Sequence, residues 1–217
     1  MSKKPLLVIF PHPDDEAFGV AGTILKHIES GGSVTYVCLT LGEMGRNMGR
    51  PVMANRETLP DIRRRELDRA AELLGIQDLR RFGMRDKTIE FTDLDALASR
   101  FGDVIQEIAP ERIITFYPGY AVHPDHDATG DAVIRAVRAL PEEKRPDVHT
   151  IAFADGTEED LGAPDVLTDV SAYRDAKLQI IEAHASQTAG LIEAVKSRHD
   201  TEMEEMLVTE RFWRYPV

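Results

Sequence analysis

Leu6-Leu7-Val8-Ile9-Phe10-Pro11-His12-Pro13-Asp14-Asp15-Glu16 is the stretch that decides the fold. Leu6 to Phe10 is a short apolar run rich in branched side chains, of the length expected for a strand buried on both faces. Pro11 and Pro13 cannot donate to a sheet ladder, so His12, Asp14, Asp15 and Glu16 fall in a loop just past the carboxyl end of that strand. In an open parallel sheet, ligands bind at that edge.

His12 and Asp15 place an imidazole and a carboxylate three residues apart on a loop stiffened by two prolines. Such a pair suits a divalent metal, zinc above all. Asp14, between them, suits a general base for water beside the metal. Taken alone, the same residues also read as a polar turn capping the next helix, since Asp is a common N-cap. A second cluster far along the chain favours the chemical reading.

Outward from this stretch, helices and strands alternate. Residues 17–30 carry Phe18, Val20, Ile24, Leu25 and Ile28 at helical spacing, and Gly31 and Gly32 stop them. Residues 33–41 read as a second strand containing Cys38, and a long polar loop follows from residue 42 to about 60 with Arg46, Asn47, Arg50, Asn55 and Arg56. Loops of that length at a sheet edge are usually functional, and this one is expected to wall a substrate pocket. Residues 61–75 form a helix on which Arg63 and Glu66 either pair across one turn or direct Arg63 back to the sheet edge to grip an anion. A weak strand at 78–82 and a helix at 94–108 lead to a fourth strand at 112–117. That strand runs into Tyr117-Pro118-Gly119-Tyr120-Ala121-Val122-His123-Pro124-Asp125-His126-Asp127, so an apolar strand again ends in a histidine-proline-aspartate loop. A helix at 128–140, a strand at 150–154, an extended piece at 166–170, a long helix from about 173 to 195 with His184 near its middle, an acidic run at 200–205 and an aromatic tail at 212–215 complete the chain. No repeat or linker divides it, and residues 1–217 are expected to form a single domain.

This alternation predicts an α/β fold, a Rossmann-like three-layer sandwich with a mostly parallel sheet. In the order 3-2-1-4-5, the first and fourth strands bracket the switch point, and the loops bearing His12 and Asp15 and bearing His123 and His126 open into one crevice. Three ligands with a free fourth position make an open, catalytic metal site, at which the pKa of water falls to about 7. Either histidine of the second loop can be the third ligand, with the other near the bound carbonyl as oxyanion stabiliser or acid. Two carboxylates after the first strand, with no glycine fingerprint, disfavour a dinucleotide. A serine hydrolase elbow is also missing.

Composition narrows the partners. The 26 basic and 38 acidic residues give a net charge of −12, which disfavours a nucleic-acid or acidic-membrane binder but allows a small anion held by local arginines. The lysines near the N-terminus precede too short an apolar run for a signal peptide, and no run has transmembrane length. The single Cys38 excludes an intrachain disulfide and reads as a buried strand residue, which fits a reducing cytoplasm.

The paired motifs resemble the LmbE/PIG-L family of metal-dependent N-acetylglucosaminyl deacetylases, a likeness that extends to Arg63 and Glu66 and to His184-Ala185-Ser186-Gln187. Within that family, Leu41-Gly42-Glu43-Met44-Gly45-Arg46-Asn47-Met48-Gly49 and the stretch from Tyr117 to Asp127 are most similar to the bacillithiol-biosynthesis deacetylases. The resemblance implies zinc on His12, Asp15 and His126, with Fe2+ also suited to two histidines and a carboxylate. It further implies Asp14 as general base, His123 as oxyanion stabiliser or acid, and Arg63 as a substrate arginine. Tyr120 stands one residue out of register with a tyrosine that assists in some relatives, leaving Ala121 in its place. The implied substrate is the sugar conjugate N-acetylglucosaminyl-malate, whose carboxylates require cations such as Arg46, Arg50 and Arg56, and the implied assembly is a homo-trimer or hexamer. Competing readings are a thiol-conjugate amidase, a deacetylase of another N-acyl sugar, and a non-catalytic metal-binding domain. His184 is expected to be a packing or hydrogen-bonding residue, and His27, His149 and His199 to be surface or structural.

Overall fold

Residues 5–197 and 201–217 are described in a computed structural model of the chain. His199 and Asp200 lie outside them, as do the lysines at the N-terminus. Strand β1 (Leu6–Phe10) is followed by α1 (Asp15–Gly19), α2 (Ala21–Glu29) and β2 (Val34–Cys38). After the long loop come α3 (Leu59–Leu74), β3 (Asp78–Arg81), α4 (Leu94–Ile108), β4 (Arg112–Phe116), α5 (Pro124–Arg138) and β5 (Asp147–Ile151). The remainder forms α6 (Thr157–Leu161), β6 (Val166–Asp169), α7 (Arg174–Ala183), α8 (Ala185–Ser197), α9 (Thr201–Val208) and β7 (Thr209–Arg214).

The strand order is β3-β2-β1-β4-β5-β7-β6. The first five strands are parallel, in the expected 3-2-1-4-5 order. Period two along β1 explains the three layers. Leu6, Val8 and Phe10 face a core with Tyr36, Ile24, Leu67, Leu74 and Ile181, whereas Leu7 and Ile9 face one with Phe101, Ile105, Val133 and Val137. Both sheet faces are therefore dry, which is why these strands read as continuous apolar runs. Among the described residues, no helix is long and apolar enough to cross a membrane.

Four departures from the expected elements have physical causes. The aromatic tail is not a tail: as β7 it enters the sheet antiparallel to both β5 and β6. The expected strand at 150–154 begins earlier, at Asp147, because Thr150 and the polar residues Asp147 and His149 pair with β4 by backbone bonds whatever their side chains. The long C-terminal helix is interrupted at His184 (φ −89°, ψ 44°), whose ring turns inward. The helix after β4 starts at Pro124, so Asp125, His126 and Asp127 form its first turn, and the His123 side chain caps it by accepting the Asp125 N–H at 3.1 Å.

Strand β7 is tied in by a buried charge. The Glu210 carboxylate accepts the N–H groups of Gly22 (2.9 Å) and Thr23 (2.7 Å) at the start of α2, and the Lys177 ammonium of α7 lies 2.7 Å away. Lys177 is fully buried, so Glu210 neutralises a cation that has no access to water while it satisfies two N–H groups of a helix start. Replacing Glu210 by Ala strands that ammonium, and chemical denaturation is expected to show a loss of about 3–5 kcal/mol. A Lys177→Met, Glu210→Leu double variant is expected to lose less than the single one.

Candidate active site

Because β1 and β4 are neighbours, the loop after Phe10 and the loop after Phe116 meet at the carboxyl edge of the sheet. Nδ1 of His12 lies 3.2 Å from Nε2 of His126, and the Asp15 carboxylate approaches His12 at 3.6 Å and His126 at 3.3 Å. One ligand atom from each of these residues lies within 4.8 Å of the others, close enough to share one ion.

Each member is held from behind. Asp15 opens α1 and accepts the His12 backbone N–H at 2.8 Å. The His126 ring stacks on Phe116 with centroids 3.9 Å apart, and its Nδ1–H donates to the Ala121 carbonyl at 3.0 Å, leaving the Nε2 lone pair for an ion. Asp127 pins that carbonyl's loop by accepting the N–H groups of Gly119 (2.8 Å) and Ala121 (3.3 Å). Gly130 lets α5 lie against β4, since a Cβ there would run into the Phe116 carbonyl oxygen. Burial opposes the charge on Asp15, but His126 and His12 outweigh it and hold the carboxyl well below the usual carboxylate range.

His12, His123 and Asp125 form a second group with the spacing of a metal site. Two of its members are already engaged. Asp125 is fully buried and accepts the N–H groups of Lys87 (2.7 Å) and Ile89 (3.1 Å), and His123 Nδ1 caps α5. The donors of the first group are the better fit to an ion. With Nδ1 accepting, the neutral His123 ring carries its proton on Nε2. Burial, followed by the neighbouring His12 and His126, lowers the His123 pKa and keeps the ring neutral.

Asp14 stands in a left-handed conformation (φ 103°) that a non-glycine residue adopts only when its surroundings enforce it. Glu16 supplies part of that force. Its Oε2 accepts the Asp14 N–H (3.1 Å) and the Tyr36 hydroxyl (2.9 Å), and its Oε1 pairs with His184 Nε2 at 2.6 Å. Burial alone would lower the His184 pKa, but the Glu16 carboxylate raises it above the ordinary value. His184 thus has the hydrogen-bonding role expected of it, and its turn toward Glu16 is what breaks the helix.

Arg63 supplies the rest. Only 4% exposed, it donates to the Pro13 carbonyl, to the Gly42 carbonyl at 2.9 Å and to Asp14 Oδ2 at 2.9 Å. Arg63 does not pair with Glu66, whose carboxylate instead accepts the N–H and hydroxyl of Ser186, both at 2.7 Å. The guanidinium expected at the substrate is therefore committed to this chain's own carbonyls and to Asp14. Burial pushes the Asp14 carboxyl above its ordinary pKa, and Arg63 opposes that rise.

The remaining arginines differ in availability. Arg56 is bound to the Gly45 carbonyl at 2.6 Å and Arg50 lies 3.4 Å from Glu193, whereas Arg46 is exposed and has no partner among the described residues. Their loop docks on the start of α8 through Gly49 N–H to Ser186 O (2.9 Å) and reciprocal bonds between Asn47 and Gln187. Tyr120 is turned to α6, where its hydroxyl donates to Asp160 at 3.2 Å. A cavity of about 930 Å³ opens beside Asp15 and His126 over Phe18, Phe116, Phe153 and Trp213. Glu16, Asp86 and Asp125 were not singled out by sequence reasoning. The positions of Glu16 inside the first motif and of Asp125 inside the second could have marked them, whereas nothing around Asp86 does.

Residues 7–137 match the PIG-L family, described as GlcNAc-PI de-N-acetylase, and the chain belongs to that family. It is 49% identical to the probable N-acetyl-α-D-glucosaminyl L-malate deacetylase 2 of Bacillus cereus, over 98% of each chain. To the Bacillus subtilis protein of the same description it is 45% identical, again over 98% of each. Among solved structures, N,N'-diacetylchitobiose deacetylase from Pyrococcus horikoshii, in complex with its inhibitor MPG, superposes with a TM-score of 0.77 at 25% identity, covering 98% of this chain and 84% of that one.

Arg63→Lys replaces a fork by a point charge that cannot serve both carbonyls and Asp14 together. Urea denaturation is expected to show a loss of about 1–3 kcal/mol from the acceptors left unpaired.

Proposed function

We propose that this chain removes the acetyl group of N-acetyl-α-D-glucosaminyl L-malate by metal-assisted hydrolysis, the deacetylation step implied for bacillithiol biosynthesis. That it is a deacetylase, a hydrolase of an amide bond, follows from its family and relatives. The observation that carries the mechanism is the convergence of His12 Nδ1, Asp15 and His126 Nε2 beside Asp14 and His123. Two imidazoles and one carboxylate on rigid strand ends suit Zn2+ with an open position, and they also suit Fe2+.

When bound, such an ion polarises the acetamide carbonyl and lowers the pKa of water. Arg63 holds Asp14 Oδ2, leaving Oδ1 to take a proton from the attacking water. His123 presents its Nε2–H to the oxyanion that develops on the former carbonyl oxygen. Asp14 then returns the proton to the departing nitrogen, the C–N bond breaks, and acetate and a free amine result. Arg46, which of the three loop arginines has no partner among the described residues, is the cation assigned to the malate carboxylates, and Arg63 acts by holding Asp14.

The decisive experiment is metal analysis of the purified protein together with acetate release from N-acetylglucosaminyl-malate and from plain N-acetylglucosamine. Bound metal and release from the malate conjugate are expected; a metal-free protein that releases no acetate would overturn the reading. Asp14→Asn is expected to keep its metal and to lose turnover by about 10²–10⁴-fold. Arg46→Ala is expected to raise KM for the malate conjugate by roughly tenfold with little change in kcat, as loss of a binding contact does.

A further inference from the structure

His12 has two ring nitrogens, and only Nδ1 faces Asp15 and His126. The other, Nε2, lies 3.2 Å from Asp86 Oδ1 and 3.4 Å from Asp125 Oδ2. These are close electrostatic contacts and not directed hydrogen bonds, but two carboxylates beside Nε2 favour a proton there, the tautomer that leaves Nδ1 free for an ion. The two acids are not equivalent. Asp125 is anchored by the Lys87 and Ile89 N–H groups and makes no contact with the 42–58 loop among the hydrogen bonds of the described residues. Asp86 reaches elsewhere: its Oδ2 accepts the Met44 N–H at 2.8 Å, and its own N–H donates to Glu43 Oε1 at 3.0 Å. One buried residue, 3% exposed, thus touches His12 with one carboxylate oxygen and the head of the 42–58 loop with the other oxygen and its N–H.

We propose that Asp86 is a positioning residue through which this loop sets the orientation of the His12 ring, so that docking of the loop and metal affinity are linked. The inference rests on the reading of His12 as a metal ligand. If the loop's docked state holds Asp86 against Nε2, the loop favours the metal-bound state, and metal favours the docked loop by the same factor. The loop that carries Arg46 is then docked more firmly when the metal is in place.

Competition of Zn2+ between the protein and a chromophoric chelator measures this without recourse to turnover. Asp86→Asn is expected to weaken Zn2+ binding by about 10–100-fold, the range of lost outer carboxylates on metal-bound histidines. Glu43→Ala, which removes a contact to Asp86 and none to His12, is expected to weaken it in the same direction and by less. Melting of the metal-free variants separates loss of affinity from loss of fold, and Glu43→Ala carries the test should Asp86→Asn not fold. Unchanged affinity in a folded Asp86→Asn protein, or in Glu43→Ala, overturns the proposal. His126→Ala keeps the two readings apart: if that variant binds Zn2+ as tightly as the unaltered chain, the ligand assignment has failed, not the coupling.

Discussion

Parallel pairing of β1 with β4, Leu6 opposite Arg112 and Val8 opposite Ile114, is the constraint on which the rest depends. Strands so paired end side by side at the same edge, and each here ends in a loop too short and too rigid to wander. Distance along the chain is thereby cancelled: His12 and His126 are separated by 114 positions yet their nitrogens approach to 3.2 Å. A hairpin between the same strands would have sent the two loops to opposite ends of the sheet.

Around that junction the protein buries charge in pairs. Glu16 with His184 and Lys177 with Glu210 are fully enclosed, and Glu16 and Glu210 also accept backbone N–H groups, while Asp14 stays 21% exposed against a buried Arg63. Burying such pairs adds little net stability over apolar packing, but removing one partner is costly, so each permits few arrangements of the elements it joins. The left-handed backbone at Asp14 is the local result, held through Glu16 from one side and Arg63 from the other.

The convergent residues His12 and Asp15, and the second loop that supplies either His123 or His126, were legible because their signal is local: an apolar strand, then a proline-stiffened polar loop. His126 in particular was implied by the family resemblance. The first, second and fourth strands were legible for the same reason, whereas β5, with polar Asp147 and His149 in its run, was read as starting three residues later than it does. What could not be read depends on partners distant in sequence. Glu210 is a charged residue at an inward position of β7, which spoils the apolar alternation, and nothing nearby announces Lys177 or the start of α2. The stretch from His184 to Gln187 holds neither glycine nor proline, so its break follows from Glu16 and Glu66 drawing His184 and Ser186 inward. For Arg63 two neighbours stayed open, Glu66 across one turn or an anion at the sheet edge. The side chain does turn to that edge, where it meets Asp14, because helical spacing says which face a side chain occupies and not what lies opposite.

The place of β7 between β5 and β6 bears on how the molecule assembles. β6 precedes β7 in the chain but has no sheet partner until β7 arrives, since the two pair directly and β5 pairs with β7. A sheet growing from the N-terminal side would therefore stop at β5 until β7 is available, with β6 left without a strand to pair with. Closure by the last strand is a late, long-range step, and a nascent chain lingering before it presents an unsatisfied ribbon to its neighbours.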